Sequence, residues 1–97
     1  MQQAGWESVG ADGDDVDATV RAVLADVLGL DRARVAAFRD DTPLFGALPE
    51  LDSMAVAGVL TEMEDRLGIV IEDDEVDGDM LETFGALVRF AEGKRSA

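Results

Sequence analysis

The stretch that decides the fold is LPELDSMAVAGVLTEMEDRL, which spans residues 48–67. Its apolar side chains recur at three- and four-residue spacings: Val56, Val59, Leu60, Met63 and Leu67. This periodicity predicts an amphipathic helix over residues 53–67, and Gly68 suits its left-handed end. Pro49 disfavours helical geometry at Leu48, so the helix is entered from a loop, with Ser53 in its first turn.

Similar patterns on both sides predict two more long helices, over residues 15–28 and residues 83–92. The first has Asp14 or Asp15 as its capping residue and Gly29 at its end. The second has Thr83 as its capping residue and ends before Gly93. Their apolar faces consist of Val16, Val20, Val23, Leu24 and Val27 in the first helix and of Phe84, Leu87, Val88 and Ala91 in the second.

The two segments between these helices are irregular in sequence. Residues 30–52 form a long connection with room for one turn of helix near Val35. Residues 72–79 are densely acidic and, with the apolar residues that follow them, suit a short third helix. Together the elements predict an all-α fold, a small four-helix bundle of three main helices and a short third helix.

The termini differ from the helical region in composition. Residues 1–14 are rich in glycine and aspartate and lack apolar periodicity, which predicts a flexible acidic tail in which Trp6 stands alone. We expect one domain over residues 15–93 and a short C-terminal tail over residues 94–97. The sequence shows neither a signal-peptide pattern nor an apolar run of bilayer-spanning length, so we expect a cytoplasmic protein.

The composition narrows the range of functions. Twenty-two acidic residues against eight basic ones give the 97-residue chain a formal net charge of −14. Such a charge repels nucleic acids and anionic membranes and favours partners with basic faces. The chain has no cysteine and no histidine, which removes disulfides, thiolate metal sites and the commonest general base. We therefore expect neither a conventional active site nor a metal centre.

The local sequence around Ser53 leaves more than one interpretation open. A serine at the entry of an amphipathic helix is often an ordinary N-cap residue. A catalytic serine needs a base and an orienting group, and without histidine only Lys94 or a carboxylate could assist it. The sequence therefore argues against a hydrolase that uses this serine.

The acidic segment that starts at Asp73 resembles the opening of a calcium-binding loop. Acidic residues occupy its first, third and fifth positions, and Gly78 is its sixth residue. The twelfth position, which must supply a bidentate carboxylate, is Phe84. The alternative function open at this point is an acidic adaptor, calcium-responsive or purely electrostatic, that uses residues 72–82.

Over residues 16–92 the chain resembles the acyl carrier protein family. Its Asp-Ser-Met at residues 52–54 is similar to the family's Asp-Ser-Leu at the start of the second helix. MEDRLGI at residues 63–69 resembles the end of that helix, and TFGAL at residues 83–87 resembles the entry to the fourth. Residues 44–54 resemble in particular the carrier proteins encoded with exosortase and exopolysaccharide gene systems.

The resemblance implies a carrier protein that is not itself an enzyme and that holds an acyl or aminoacyl group as a thioester on a 4'-phosphopantetheine arm. It implies that Ser53 is the attachment residue, with Asp52 and Met54 beside it. Its partners would be a phosphopantetheinyl transferase, a ligase that loads the arm, and downstream acyltransferase-type enzymes. The position of Ser53 suits an attached phosphodiester, because free amides and the helix dipole favour an anion at a helix start.

The resemblance also implies a docking face along the second helix of a monomeric carrier. Residues 50–82 contain twelve acidic residues against Arg66 alone, a field that favours encounter with basic partners. Unlike fatty-acid carriers, this chain has no acidic residue in the turns just after the serine, so the face has an apolar edge. The expected docking residues are Glu50, Ala55, Gly58, Glu62, Glu64 and Asp65.

The sequence allows two roles for a set of five apolar residues. They either line an acyl pocket between the second, third and fourth helices or form plain core, and their helical spacing is typical of core. Methionine side chains adapt well to an irregular cavity. The five residues are Val59, Met63, Val76, Met80 and Phe84.

Overall fold

Four α-helices and two 3-10 turns make up the structure, a computed structural model that describes residues 12–96. The elements are α1 (Asp12–Leu28), α2 (Arg32–Ala36), α3 (Ser53–Leu67), the 3-10 turns Asp73–Glu75 and Asp79–Leu81, and α4 (Phe84–Ser96). No strand occurs within residues 12–96, and the predicted all-α class is confirmed. None of these four helices is long and apolar enough to cross a bilayer.

Helix α1 begins at Asp12, three residues before its predicted start at Asp15. Aspartates at an amino-terminal end complement the positive pole of the helix dipole, and Gly13 does not interrupt the helix. The prediction that Asp14 or Asp15 caps the helix is therefore wrong, because both lie within it. Residues 1–11, which include Trp6 and most of the predicted tail, lie outside the described residues.

Helix α3 has its predicted bounds. The apolar stripe turns inward as the periodicity predicts, and its buried members are Val59, Leu60, Met63 and Leu67. Gly68 ends the helix in the left-handed region, with φ 66°, and its N–H donates to the carbonyl oxygen of Glu64. Glycine is favoured in the left-handed conformation because it has no Cβ atom to clash with the main chain.

The short third helix predicted in the acidic segment takes the form of the two 3-10 turns. Acidic side chains accept main-chain hydrogen bonds here, which compete with a continuous helix. The Glu75 carboxylate accepts from the N–H of Glu72 at 2.8 Å, and the Asp77 carboxylate accepts from the N–H of Met80 at 3.0 Å.

Helix α4 continues to Ser96, four residues past its predicted end at Glu92. Gly93 lacks the positive φ that would end the helix. Lys94 Nζ donates to both carboxylate oxygens of Glu75, each at 2.9 Å, and so ties the last turn of α4 to the first 3-10 turn. The predicted helix end is wrong, and residues 94–96 belong to the helix and not to a tail.

A main-chain seam fixes the long connection after α2 against the start of α4. Four hydrogen bonds of 2.8 to 3.0 Å form this seam: Leu44 N–H to Glu82, Phe45 N–H to Leu81, Phe84 N–H to Thr42, and Gly85 N–H to Asp40. Thr83 caps α4 as predicted, since its hydroxyl oxygen accepts from the N–H of Ala86 at 3.1 Å.

Gly85 permits the closest approach within the seam. A Cβ atom built at this position would lie 2.7 Å from the main-chain oxygen of Asp40 and 2.5 Å from its Oδ1. Such distances are far inside van der Waals contact, so a side chain here would displace the connection.

Arg21 joins α1 to α2 and α4. Its Nη1 donates to the carbonyl oxygens of Val35 and Phe38 at 2.5 and 3.0 Å, and its Nε contacts Asp17 Oδ1 at 2.6 Å. The guanidinium carbon lies 4.4 Å from the ring centre of Phe84, a cation–π contact. Arg21 therefore adds a side-chain donor to carbonyl oxygens at the end of α2 and just after it, of which that of Val35 also accepts from the N–H of Phe38.

Gly85→Ala should destabilise the protein, because the new methyl group would overlap the main chain of Asp40. We expect the free energy of unfolding to fall by about 1–3 kcal/mol, the usual effect of overpacking. The measurement is urea denaturation followed by circular dichroism.

Gly93→Ala is the matched control, since it lies in the same helix and an added Cβ has nothing within 4 Å. The control should stabilise the protein by up to about 1 kcal/mol through helix propensity. Similar effects of the two substitutions would contradict the role given to Gly85.

Candidate functional site

Asp52, and not Ser53, is the N-cap of α3. The Asp52 carboxylate accepts from the N–H of Ala55 at 2.8 Å, and its carbonyl oxygen accepts from the N–H of Val56 at 2.9 Å. Ser53 is the first residue of the helix and is exposed. Within residues 12–96 its hydroxyl makes no hydrogen bond, so the interpretation of Ser53 as an N-cap is wrong. The serine is available for other chemistry.

The connection before α3 is anchored at three leucines, which fixes where the helix starts. Leu44, Leu48 and Leu51 are all buried. The N–H of Leu48 donates to the carbonyl oxygen of Leu44 at 2.9 Å, and that of Leu51 donates to Leu48 at 3.0 Å. The next residues, Asp52 and Ser53, emerge on the surface.

Glu50 ties the same loop to α2. Its carboxylate contacts the Arg34 guanidinium at 3.1 Å. The main-chain amide of Glu50 and, after it, the Arg34 guanidinium hold the pKa of this carboxyl below its ordinary value. Glu50, expected to dock partners, thus has a bond within the chain that positions the loop before Ser53.

The start of α3 suits an anion attached to Ser53. Among the first four N–H groups of the helix, those of Ala55 and Val56 are occupied by Asp52. The N–H groups of Ser53 and Met54 make no hydrogen bond within the part of the chain that the structure describes. Free amides and the helix dipole together stabilise a negative group at this position.

Two surface grooves include Ser53 in their lining and share Val56 and Val76. The larger groove, of about 480 Å³, lies between α3 and the segment after it, and is lined by Ser53, Val56, Ala57, Leu60, Thr61, Glu64, Ile71, Asp73 and Val76. The smaller groove, of about 230 Å³, extends toward Phe45 and is lined by Ser53, Val56, Val76, Asp77, Gly78, Leu81 and Phe45. A group attached to Ser53 therefore has room on the surface beside α3.

The five residues considered as an acyl pocket separate into two sets. Val59, Met63, Met80 and Phe84 are buried in the core. Val76 alone among the five lines the grooves. In this conformation the four buried residues are plain core, and the space beside Ser53 has a different lining.

The exposed face of α3 differs from the docking face expected from the sequence. It consists of residues three or four positions apart that lie opposite the buried stripe: Met54, Ala57, Thr61 and Asp65. We refer to these four as the outer face of α3. Only Asp65 belongs to the predicted docking set. Helical spacing from Met54 was the signal in the sequence that could have found Ala57 and Thr61.

Met54 is the most exposed large apolar side chain near the site. It is 85% exposed and directly follows the serine. An isolated exposed methionine is common on protein surfaces, but this one heads the outer face of α3.

Gly58 and Ala55 do not lie on the outer face. A Cβ atom built at Gly58 would lie 3.2 Å from Cγ1 of Val27, so the glycine lets α3 approach α1 closely. Ala55 is half-buried and packs against the core. The absence of a charge at both positions reflects helix packing at least as much as docking.

Glu62 and Glu64 hold parts of the chain together. Glu62 pairs with Arg66 at 2.9 Å, at the predicted i,i+4 spacing, and Arg66 also reaches Asp26 of α1 at 2.9 Å. Asp26 first and then Glu62 raise the pKa of the Arg66 guanidinium above its ordinary value. Glu64 Oε2 accepts from the N–H of Ile71 at 2.8 Å, and both residues line the larger groove.

The acidic segment has no geometry for calcium within the described residues. No group of three or more acidic side chains there is placed to hold a metal ion. Glu75 is bound to Lys94, and Asp77 accepts a main-chain hydrogen bond. The calcium-responsive alternative thus has no site in residues 12–96 to support it.

Comparison with known proteins agrees with this geometry. The family described as "Phosphopantetheine attachment site" matches residues 18–91. The chain belongs to this family. A solution NMR structure of a holo acyl carrier protein from Nitrosomonas europaea is 40% identical, with a TM-score of 0.76 over 84% of this chain and 96% of that one. No curated protein matches the chain at a significant level.

As a member of the phosphopantetheine-attachment family, the chain is a carrier protein that bears a covalently attached 4'-phosphopantetheine arm and is not itself an enzyme. The exposed hydroxyl, the free amides and the two grooves at the start of α3 fit such a group. Family members work with modifying and biosynthetic enzymes. The likeness to exosortase-associated carriers remains a prediction.

Asp52→Ala should lower the free energy of unfolding by about 1 kcal/mol, because it removes the cap of α3. Ser53→Ala should change the stability by less than about 0.5 kcal/mol, since the hydroxyl makes no bond within the described chain and alanine favours helix. Chemical denaturation of both variants measures the difference. A larger effect of Ser53→Ala than of Asp52→Ala would show that the serine is the cap.

Proposed function

We propose that Ser53 is the residue to which the arm is attached, and that the protein presents an acyl or aminoacyl group on it to partner enzymes. The observation that carries this proposal is the division of roles at the start of α3. Asp52 caps the helix, which leaves an exposed and unpaired Ser53 hydroxyl beside free amides and two grooves. The match of the family across residues 18–91 supports the same position.

The chain's own part in this chemistry is to place a hydroxyl and to accommodate charge. Within residues 12–96 no side chain contacts Ser53 as a base, so activation of the hydroxyl belongs to the transferase. The free N–H groups of Ser53 and Met54, at the positive end of α3, would stabilise the anionic phosphodiester of an attached arm. When bound, the arm supplies a terminal thiol that holds the cargo as a thioester.

The proposed partners are a phosphopantetheinyl transferase, a ligase that loads the arm, and acyltransferase-type enzymes that use the cargo. Basic docking faces suit them, since residues 50–82 carry twelve acidic residues against Arg66. A net charge of −14 opposes self-association, which supports a monomer. The cytoplasm is the proposed location, because coenzyme A, the donor of the arm, is found there.

The outer face of α3 is the proposed docking surface for these enzymes. Over the first nine residues of α3 this face presents Met54, Ala57 and Thr61, which are uncharged, and its first acidic residue is Asp65. A partner would therefore contact the region near Ser53 through apolar surface and the far end of α3 through basic residues. Such a face differs from that of fatty-acid carriers, which suggests a dedicated set of enzymes.

Incubation with coenzyme A and a broad-specificity phosphopantetheinyl transferase should add one phosphopantetheine to the protein. Intact-mass spectrometry measures the addition, and Ser53→Ala should abolish it because the acceptor oxygen is lost. Ser96→Ala is the matched control and should still be modified. No addition to the folded wild-type protein, or addition to the Ser53→Ala variant, would overturn the proposal.

Met54→Ala should raise the KM of the transferase for this carrier by about three- to tenfold, since an apolar contact in the docking surface would be lost. The control is Val70→Ala, which removes an apolar side chain that is 65% exposed and lies beyond the other end of α3. Steady-state kinetics with the two variants measure the effect. Equal KM values for both would argue that the outer face does not dock.

A further inference from the structure

The segment that closes the larger groove opposite α3 is weakly anchored. It runs from residue 70 to residue 79, between the buried side chains of Ile69 and Met80. No residue within this segment is buried; each is exposed or half-buried. Segments with few buried apolar contacts open locally at a lower free energy than the core. We refer to residues 70–79 as the groove wall.

Besides the packing of Ile71 and Val76 against the core, two polar side-chain contacts tie the groove wall to the helices beside it. On the side of α3, Glu64 Oε2 accepts from the N–H of Ile71 at 2.8 Å. On the side of α4, Lys94 Nζ donates to Oε1 and Oε2 of Glu75, both at 2.9 Å. Glu75 Oε1 also accepts from the N–H of Glu72 at 2.8 Å, so this carboxylate organises the first 3-10 turn as well.

The Lys94–Glu75 pair is less exposed than the other ion pairs of residues 12–96. Both side chains are partly buried, with exposed fractions of 23% for Lys94 and 33% for Glu75. Lys94 first, and then the amide of Glu72, lower the pKa of the Glu75 carboxyl below its ordinary value. Lys94 is the only lysine in the chain, and it lies in the last turn of α4, far along the chain from the groove.

We propose that the Lys94–Glu75 pair is a clasp through which the C-terminal turn of α4 holds the groove wall closed. Asp73 and Val76, on either side of Glu75 in the chain, line the larger groove beside Ser53. Release of the clasp would therefore let the outer side of that groove move away from α3. Any effect of the clasp on an attached arm rests on the proposed function of Ser53. The Lys94–Glu75 contact itself does not depend on that function.

The direct test is hydrogen exchange, measured by solvent-exchange NMR on the full-length unmodified protein. In Lys94→Met, exchange at the N–H groups of Ile71, Glu75 and Val76 should accelerate by about two- to fivefold, the range that a partly exposed ion pair supports. The N–H of Met63, in the buried stripe of α3, should keep its rate.

Arg95→Met is the matched control, because it removes the same charge from the next residue, which is exposed. It should leave exchange in the groove wall unchanged. The conservative Lys94→Arg, which keeps a cation able to pair with the Glu75 carboxylate, should retain slow exchange. The proposal is overturned by equal acceleration in the Lys94 and Arg95 variants, by no acceleration in either, or by acceleration that includes Met63.

This test needs no arm on the protein, so its outcome is independent of the proposed attachment at Ser53. Failure of the clasp would leave the mass addition at Ser53 unaffected. Failure of the mass addition would leave the exchange rates, and the clasp, as they are.

Discussion

The seam between the connection after α2 and the start of α4 is the constraint on which the site depends. Sixteen residues, 37–52, join α2 to α3 without a regular element of their own. A connection of that length would have high conformational entropy if it were free. Four main-chain hydrogen bonds, the close approach at Gly85 and the buried Leu44 remove that freedom. The entry to α3 is therefore fixed by residues 81–85, which lie about thirty residues later in the chain.

At that entry, Asp52 caps the helix and Ser53 presents a free hydroxyl, two tasks that a single serine could not combine. A serine that caps a helix has its oxygen engaged with a main-chain amide, close to the helix axis. Here Asp52 has that task, and Ser53 is left on the surface with a free hydroxyl. Two further contacts help to position the loop. Arg21 of α1 donates to the carbonyl oxygen of Val35 in α2, and Arg34 of α2 pairs with Glu50 in the loop before Ser53. The proposed attachment residue thus lies at a helix start that its neighbours define, and its hydroxyl makes no bond within residues 12–96 that a modification would break.

The sequence predicted those features that depend on neighbouring residues. The bounds of α3 followed from its apolar spacing and Gly68, and the family followed from motifs along residues 16–92. Features that depend on distant contacts were missed. Aspartate and serine cap helices equally well, so the sequence could not choose Asp52 over Ser53. Helix α4 passes Gly93 because Lys94 meets Glu75, nineteen residues earlier, and Gly58 packs against Val27 of another helix.

The engagement of Lys94 with Glu75 has a chemical consequence for a protein that carries a thioester. Thioesters acylate free amines and thiols, so a carrier risks losing its cargo to its own side chains. This chain has no cysteine and no histidine, and the Nζ atom of its one lysine donates to both carboxylate oxygens of Glu75. A nitrogen engaged in this ion pair is not free to attack a thioester. The chain therefore offers few side-chain acceptors for the group that a carrier holds.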